Sequence, residues 1–192
     1  RKWIVGLVML ALVILTLFTT TPGGETALHE GLEAFGLGAI VIAIVGRAWC
    51  SLYIGGRKKA EIVQTGPYSI SRNPLYVFSY AAAFGVGAQT GSLVVALLFV
   101  VCTVLIFEMT IRREEAWLTA AFGQDYLDYI GRTPRCGPDF GKWKDEERLE
   151  VRPQFFVTTL RDGLVFLLAI PIFEGIEMAQ NAGWLITPII LP

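Results

Sequence analysis

Residues 93–110 read LVVALLFVVCTVLIFEMT, an apolar run broken only near its end by the carboxylate of Glu108. A run of this length and character crosses a bilayer as a helix. The whole chain agrees with it. Of 192 residues, 54% are hydrophobic and 17% charged, with a mean hydropathy of +0.55, too apolar for a soluble domain of this size. The sequence therefore predicts an all-α fold, a polytopic transmembrane helical bundle in a single integral membrane domain over 1–192.

Outward from this run, Gln89-Thr90-Gly91 forms a tight turn, so the helix over 93–110 returns antiparallel to a shorter apolar stretch, Pro74 to Gly87. That stretch is predicted to be tilted or to start in the membrane interface, and Gly85-Val86-Gly87 to let a neighbouring helix approach closely. Further upstream lie Leu32 to Tyr53 and, behind Arg1 and Lys2, Trp3 to Thr19, which lacks a clear A-x-A cleavage site and is read as a retained helix. Downstream, Phe155 to Ile176 makes an extra C-terminal span at about 155–177. It carries Arg161, Asp162, Glu174 and Glu177 close to its ends, where a functional role and simple access to water are equally good readings. Trp184 to Leu191, with Pro188, is too short to span and is predicted to be an interfacial tail. The count is about five spans.

The net charge of −1 is uninformative, but its distribution is not. Every Lys and Arg falls at Arg1/Lys2, Arg47 to Lys59, Arg72, Arg112 to Arg152 or Arg161. Basic residues stay on the cytoplasmic side, which predicts the N-terminus inside and the C-terminus outside. Gly66–Tyr76 and a helical and loop cap over 112–154 then face the cytoplasm, with Trp143 as an interfacial anchor on a charged helix. His29, the one histidine, is placed in the loop Thr20 to Glu30 and predicted to be solvated. Cys50, Cys102 and Cys136 lack C-x-x-C spacing and are read as packing residues, so neither disulfide nor metal site is expected.

Two polar constellations carry chemistry. In Gly66-Pro67-Tyr68-Ser69-Ile70-Ser71-Arg72-Asn73-Pro74-Leu75-Tyr76, Asn73 followed by Pro74 is a helix start: a capping side chain and the residue best tolerated at the first helical position. The free N–H groups there, the helix dipole and the Arg72 guanidinium favour a carboxylate or phosphate. The second constellation opens with Glu114 and Glu115. Adjacent helix positions do not share a face, so at most one of them can point straight into a site. Tyr126 and Tyr129 follow at i,i+3 on a short helix that Gly131 can terminate, then Arg132 and Arg135 flank Pro134.

Together, Gly66-Pro67-Tyr68-x-x-x-Arg72-Asn73-Pro74-x-Tyr76 and Glu114-Glu115-x-x-Leu118-x-x-x-Phe122-Gly123-x-x-Tyr126-x-x-Tyr129-x-x-Arg132-x-Pro134-x-x-x-Pro138 resemble the isoprenylcysteine carboxyl methyltransferase and phospholipid methyltransferase superfamily. The resemblance covers about Val63 to Pro138, within a methyltransferase core at about 57–138. It implies an integral membrane enzyme that uses S-adenosylmethionine at the cytoplasmic boundary of a helical bundle, distinct from the soluble doubly wound methyltransferases. It makes Val63, Gly66, Pro67, Tyr68, Asn73 and Tyr76 candidates to surround the cofactor. Glu114 supplies a carboxylate for its ammonium or sulfonium end, and Glu115 one for that end or for the nucleophile. Arg72 and Arg132 meet carboxylates of cofactor and substrate. The chain departs from the family at Asn73, where histidine is more usual, and asparagine cannot shuttle protons at neutral pH.

The function this implies is methylation of a lipid or lipidated acceptor entering from the bilayer, with a carboxylate as nucleophile and Arg72 or Arg132 to position it. Phospholipid amine N-methylation is the alternative, with Glu114 or Glu115 as base. A nicotinamide-dependent membrane reductase and a non-enzymatic membrane scaffold are alternatives of other classes. Membrane lipids are the expected surroundings, nucleic acid is not an expected partner, and oligomeric state is not legible.

Overall fold

The computed structural model describes residues 2–20, 27–58 and 60–190. Most of the loop after Thr20 and the basic Lys59 lie outside them. Among the described residues eight α-helices follow in order: α1 (Lys2–Leu17), α2 (Ala27–Ile54), α3 (Pro67–Ile70), α4 (Pro74–Ala88), α5 (Leu93–Phe122), α6 (Gln124–Arg132), α7 (Pro153–Leu164) and α8 (Ala169–Asn181). Two-residue strands at Thr19–Thr20 and Ile189–Ile190 pair in parallel, which ties the C-terminal tail to the end of α1. The all-helical expectation holds. Among the described residues, three helical stretches are long and apolar enough to cross a membrane: Ala27–Ile54, Leu93–Phe122 and Pro153–Asn181. With 16 and 15 residues, α1 and α4 are shorter.

The chain divides into two compact units, one of Arg1–Ile42, Tyr80–Ile106 and Leu164–Pro192, the other of Ala43–Ser79 and Phe107–Gly163. In the first, small residues bring α2 and α4 together. A Cβ added to Gly85 would lie 2.5 Å from the Gly36 carbonyl oxygen and 2.7 Å from Ile40 Cγ1. The glycines of 85–87 thus serve helix packing, and Ile40, Val86, Val95, Phe99 and Phe173 are buried in this unit. The second unit is built on Cys50, Tyr53, Val63 and Tyr68, with Trp49, Leu75, Phe78 and Leu149 against them.

Four local expectations are corrected. α5 does not stop at Thr110 but runs to Phe122, because residues 111–122 are good helix formers and Glu108 pairs with Arg112 one turn on at 2.6 Å. α6 continues through Gly131 to Arg132 and ends on Thr133 in extended backbone. The C-terminal span is present as expected, over Pro153–Asn181, but not as one regular helix: it runs as α7, a 3-10 turn at Val165–Leu168 and α8, since Pro171 offers no N–H and its ring crowds the carbonyl of Leu167. Around Trp143 only Phe140–Lys142 is helical, and the indole stacks on Trp49 at 5.7 Å with planes 20° apart rather than standing on a charged helix. His29 is a fifth correction. It lies in the first turn of α2, buried, rather than in a solvated loop.

Candidate functional site

The site lies wholly in the second unit. Gly66 opens it with φ +57, a backbone conformation that glycine adopts freely, and a Cβ there would collide with the Tyr53 ring. From Gly66 onward the chain is sewn to residues 133–144 by hydrogen bonds. Gly66 N–H donates to the Lys144 carbonyl at 2.8 Å, Arg72 N–H to Pro134 at 2.8 Å, and Asp139 N–H to Ile70 at 2.9 Å. Ser71 Oγ donates to the Cys136 carbonyl at 3.1 Å and the Tyr129 hydroxyl to the Tyr68 carbonyl at 2.7 Å. The two motif stretches, distant in sequence, therefore form one structure.

Asn73 stands where a helix cap is expected, and its carbonyl accepts the first helical bonds from Tyr76 and Val77. Its side chain does something else. Nδ2 donates to the Arg135 carbonyl at 3.1 Å, so the amide clamps the second constellation to the first.

Glu114 and Glu115 diverge as the geometry of adjacent helix positions requires. Glu115 takes the Arg72 guanidinium at 3.1 Å and the Arg135 Nε at 3.1 Å, and Arg135 Nη1 continues to Glu108 at 2.9 Å. Arg72 and Glu115 side chains are only 11% and 19% exposed, so this pair is held away from bulk water. Arg72 Nε is buried without a hydrogen-bond partner among the described residues. Glu114 instead receives Lys58 Nζ at 2.7 Å and the Tyr76 hydroxyl at 3.1 Å. Tyr76 packs on Phe107 with ring centroids 5.0 Å apart.

Tyr126 and Tyr129 share the buried face of α6, as their i,i+3 spacing predicts. Burial, before any neighbouring charge, pushes both phenols above their ordinary range. Tyr68 is pushed up by burial as well.

The structure thus brings Arg72, Asn73, Tyr76, Glu114 and Glu115 to the junction of the two motifs. Val63, Pro67 and Tyr68 are buried, with Val63 and Tyr68 in the packing core beneath it. Arg132 is not in the Glu115 network; its guanidinium bonds the Gln64 side chain in an exposed position. Arg135, Glu108 and Lys58 were missed as site residues. A signal for two of them existed: Glu108, Arg112 and Glu115 recur at i, i+4 and i+7, one helix face, and a basic partner near Pro134 could have been sought for it.

A family profile described as phospholipid methyltransferase matches residues 35–125, a stretch that contains Arg72, Glu114 and Glu115. The nickel-cobalt-cadmium resistance protein NccN of Alcaligenes xylosoxydans xylosoxydans is 34% identical over 186 residues, 96% of this chain and 87% of that protein. The cobalt-zinc-cadmium resistance protein CzcN of Cupriavidus metallidurans is 34% identical over 79% of this chain and 70% of its own length. A protein-S-isoprenylcysteine O-methyltransferase of Schizosaccharomyces pombe is 31% identical over 63% of this chain and 50% of its own. No solved structure matches the chain. With the two motifs joined in one site, the phospholipid methyltransferase profile and the isoprenylcysteine methyltransferase relative place the chain in the isoprenylcysteine carboxyl methyltransferase and phospholipid methyltransferase superfamily.

Proposed function

We propose that the chain is an S-adenosylmethionine-dependent membrane methyltransferase whose acceptor is a carboxylate on a lipid or lipidated small molecule. The observation that carries this reading is the pairing of Arg72 with Glu115 at 3.1 Å, beside a second carboxylate, Glu114, held by Lys58 and Tyr76. Opposite charges set side by side suit a zwitterion. The Arg72 guanidinium, with its buried unpartnered Nε, has a donor to give to a carboxylate, and Glu114 is placed to receive an ammonium or sulfonium. When bound, S-adenosylmethionine supplies an electrophilic methyl group on sulfur. The residues here then align an already ionised acceptor and keep water away from it, which needs no general base. Gly66, Pro67, Tyr68, Val63, Asn73 and Tyr76 form the frame of the cofactor side. Arg135 takes the inner position that the family resemblance implies for Arg132, which serves at the rim beside Gln64.

An amine acceptor would instead require Glu114 or Glu115 to remove a proton. The two bacterial relatives are named for resistance to nickel, cobalt, cadmium or zinc, and the names specify no reaction. The acceptor is therefore tested directly. Purified protein is incubated with methyl-labelled S-adenosylmethionine and extracted membrane lipids, and the products are treated with mild base. Release of labelled methanol identifies a methyl ester and supports the proposal; base-stable label identifies N-methylation and overturns the carboxylate. A thermal-shift response to NADPH but not to S-adenosylhomocysteine would overturn the methyltransferase reading in favour of a reductase. The site is proposed to face the cytoplasm, with the N-terminus inside and the C-terminus outside, following the basic residues. A reporter fused after Pro192 that proved cytoplasmic would overturn that orientation.

A further inference from the structure

Methyl transfer makes no use of a second polar cluster, which lies wholly in the first unit. His29 sits in the first turn of α2, Glu33 one turn further on, and Glu177 on α8. His29 Nε2 is 3.1 Å from Glu33 Oε1 and 4.0 Å from Glu177 Oε2, and donor atoms of all three lie within 4.8 Å of one another. We propose that these three side chains form a binding site for a divalent transition-metal cation of the zinc, cobalt or nickel type.

Three observations carry the proposal. First, both carboxylates converge on the same ring nitrogen. An Nε2 proton serves one acceptor well, whereas a cation serves the nitrogen and both oxygens at once. Donors around one such ion at ~2.0–2.2 Å stand roughly 3–3.5 Å apart, so the His29–Glu33 distance of 3.1 Å already fits, while Glu177, 4.0 Å from the nitrogen and within 4.8 Å of both partners, has to swing inward.

Second, the imidazole is held in place. Gly91, at φ +65 in the α4–α5 turn, presses on the ring from the Nδ1 and Cε1 side so closely that a Cβ there would collide with it. The same turn is bound to α2 by Gln89, whose Nε2 donates to the Glu33 carbonyl at 3.0 Å. His29 is 7% exposed, and its Nε2 faces the carboxylates. A ligand locked by packing is what an ion site needs.

Third, no fixed positive charge competes. Apart from Arg1 and Lys2, residues 1–42, 80–106 and 164–192 contain no Lys or Arg, while Glu174 adds its charge to the field at Glu33. Carboxylates gathered in an apolar unit with no Lys or Arg, around a single imidazole, are stabilised by a cation from solution. One imidazole nitrogen and two carboxylates suit borderline first-row ions better than calcium or magnesium, which prefer oxygen alone, and leave further coordination positions open.

The test uses the full chain purified in detergent, with its affinity tag removed, titrated with Co²⁺ and followed by visible absorption. The expected result is saturation at one ion per chain, with Glu177→Gln and His29→Gln each weakening binding about tenfold or more. Glu177 is a third exposed and its variant should fold as the parent does, which a thermal unfolding profile without metal checks. Arg72→Ala should bind Co²⁺ unchanged, so failure of the methyltransferase reading and failure of this site are separable. Absence of saturable binding, or equal affinity in Glu177→Gln, overturns the proposal.

Discussion

Glu115 holds two guanidinium groups, and that asymmetry sets what each substitution does. Arg72→Ala leaves Glu115 paired with Arg135 at 3.1 Å, whereas Glu115→Ala leaves Arg72, 11% exposed, without its carboxylate. An uncompensated charge in such a place costs about 3 kcal/mol, and loss of one arm of a shared pair about 1 kcal/mol. Denaturant unfolding in detergent should therefore rank Glu115→Ala as clearly the more damaging, while both lose methyl transfer; equal losses would show that Arg135 contributes nothing. Tyr129 gives a pH signature. Burial raises its phenol above the ordinary range, and the hydroxyl donates to the Tyr68 carbonyl at 2.7 Å. A raised group stabilises fully below the unfolded phenol's pKa of about 10 and loses that contribution as pH climbs toward the folded value. Stability should thus fall on going from pH 9 to 11, and Tyr129→Phe should flatten that fall; an unchanged slope would remove Tyr129 as its source. The pairings of Glu115 and Tyr129 are not visible in sequence alone, since both depend on partners contributed by distant segments.

At the scale of elements, the Gly66 turn decides whether the first motif can reach the second. Alanine there must adopt φ +57 and displace the Tyr53 ring, whose hydroxyl donates to Asp145 at 3.1 Å. A strained residue plus a disturbed core should cost about 2–3 kcal/mol and abolish S-adenosylhomocysteine binding. Normal stability and binding in Gly66→Ala would mean the turn has other solutions. Local chemistry made part of this legible. Asn73-Pro74 does start α4, and the divergence of Glu114 from Glu115 follows from helix geometry alone. What stayed hidden was tertiary: Asn73 spends its amide on Arg135, 62 residues away, and α6 runs through Gly131 because the buried Tyr126 and Tyr129 outweigh one residue's propensity.

At the scale of the molecule, apolar runs identified a helical membrane protein, but hydropathy does not fix how many helices cross. The short α4 is the deciding case. Its 15 residues rise only about 22 Å, less than the ~30 Å hydrocarbon core. It is nevertheless expected to cross, and the expectation rests on connectivity. α5 is long enough to span, Arg72 just ahead of α4 pairs with Glu115 toward the far end of α5, and only the turn 89–92 separates α4 from the start of α5. The turn is then expected on the opposite side of the membrane from Glu115. This is checked in a chain with Cys50, Cys102 and Cys136 changed to alanine, carrying either Thr90→Cys in the turn or Gly131→Cys on the exposed side of α6. A membrane-impermeant maleimide added to intact cells should label the first and spare the second, with the order reversed in inside-out vesicles. Labelling of both from one side would mean that α4 re-enters without crossing, and the sidedness drawn from the basic residues would fail with it.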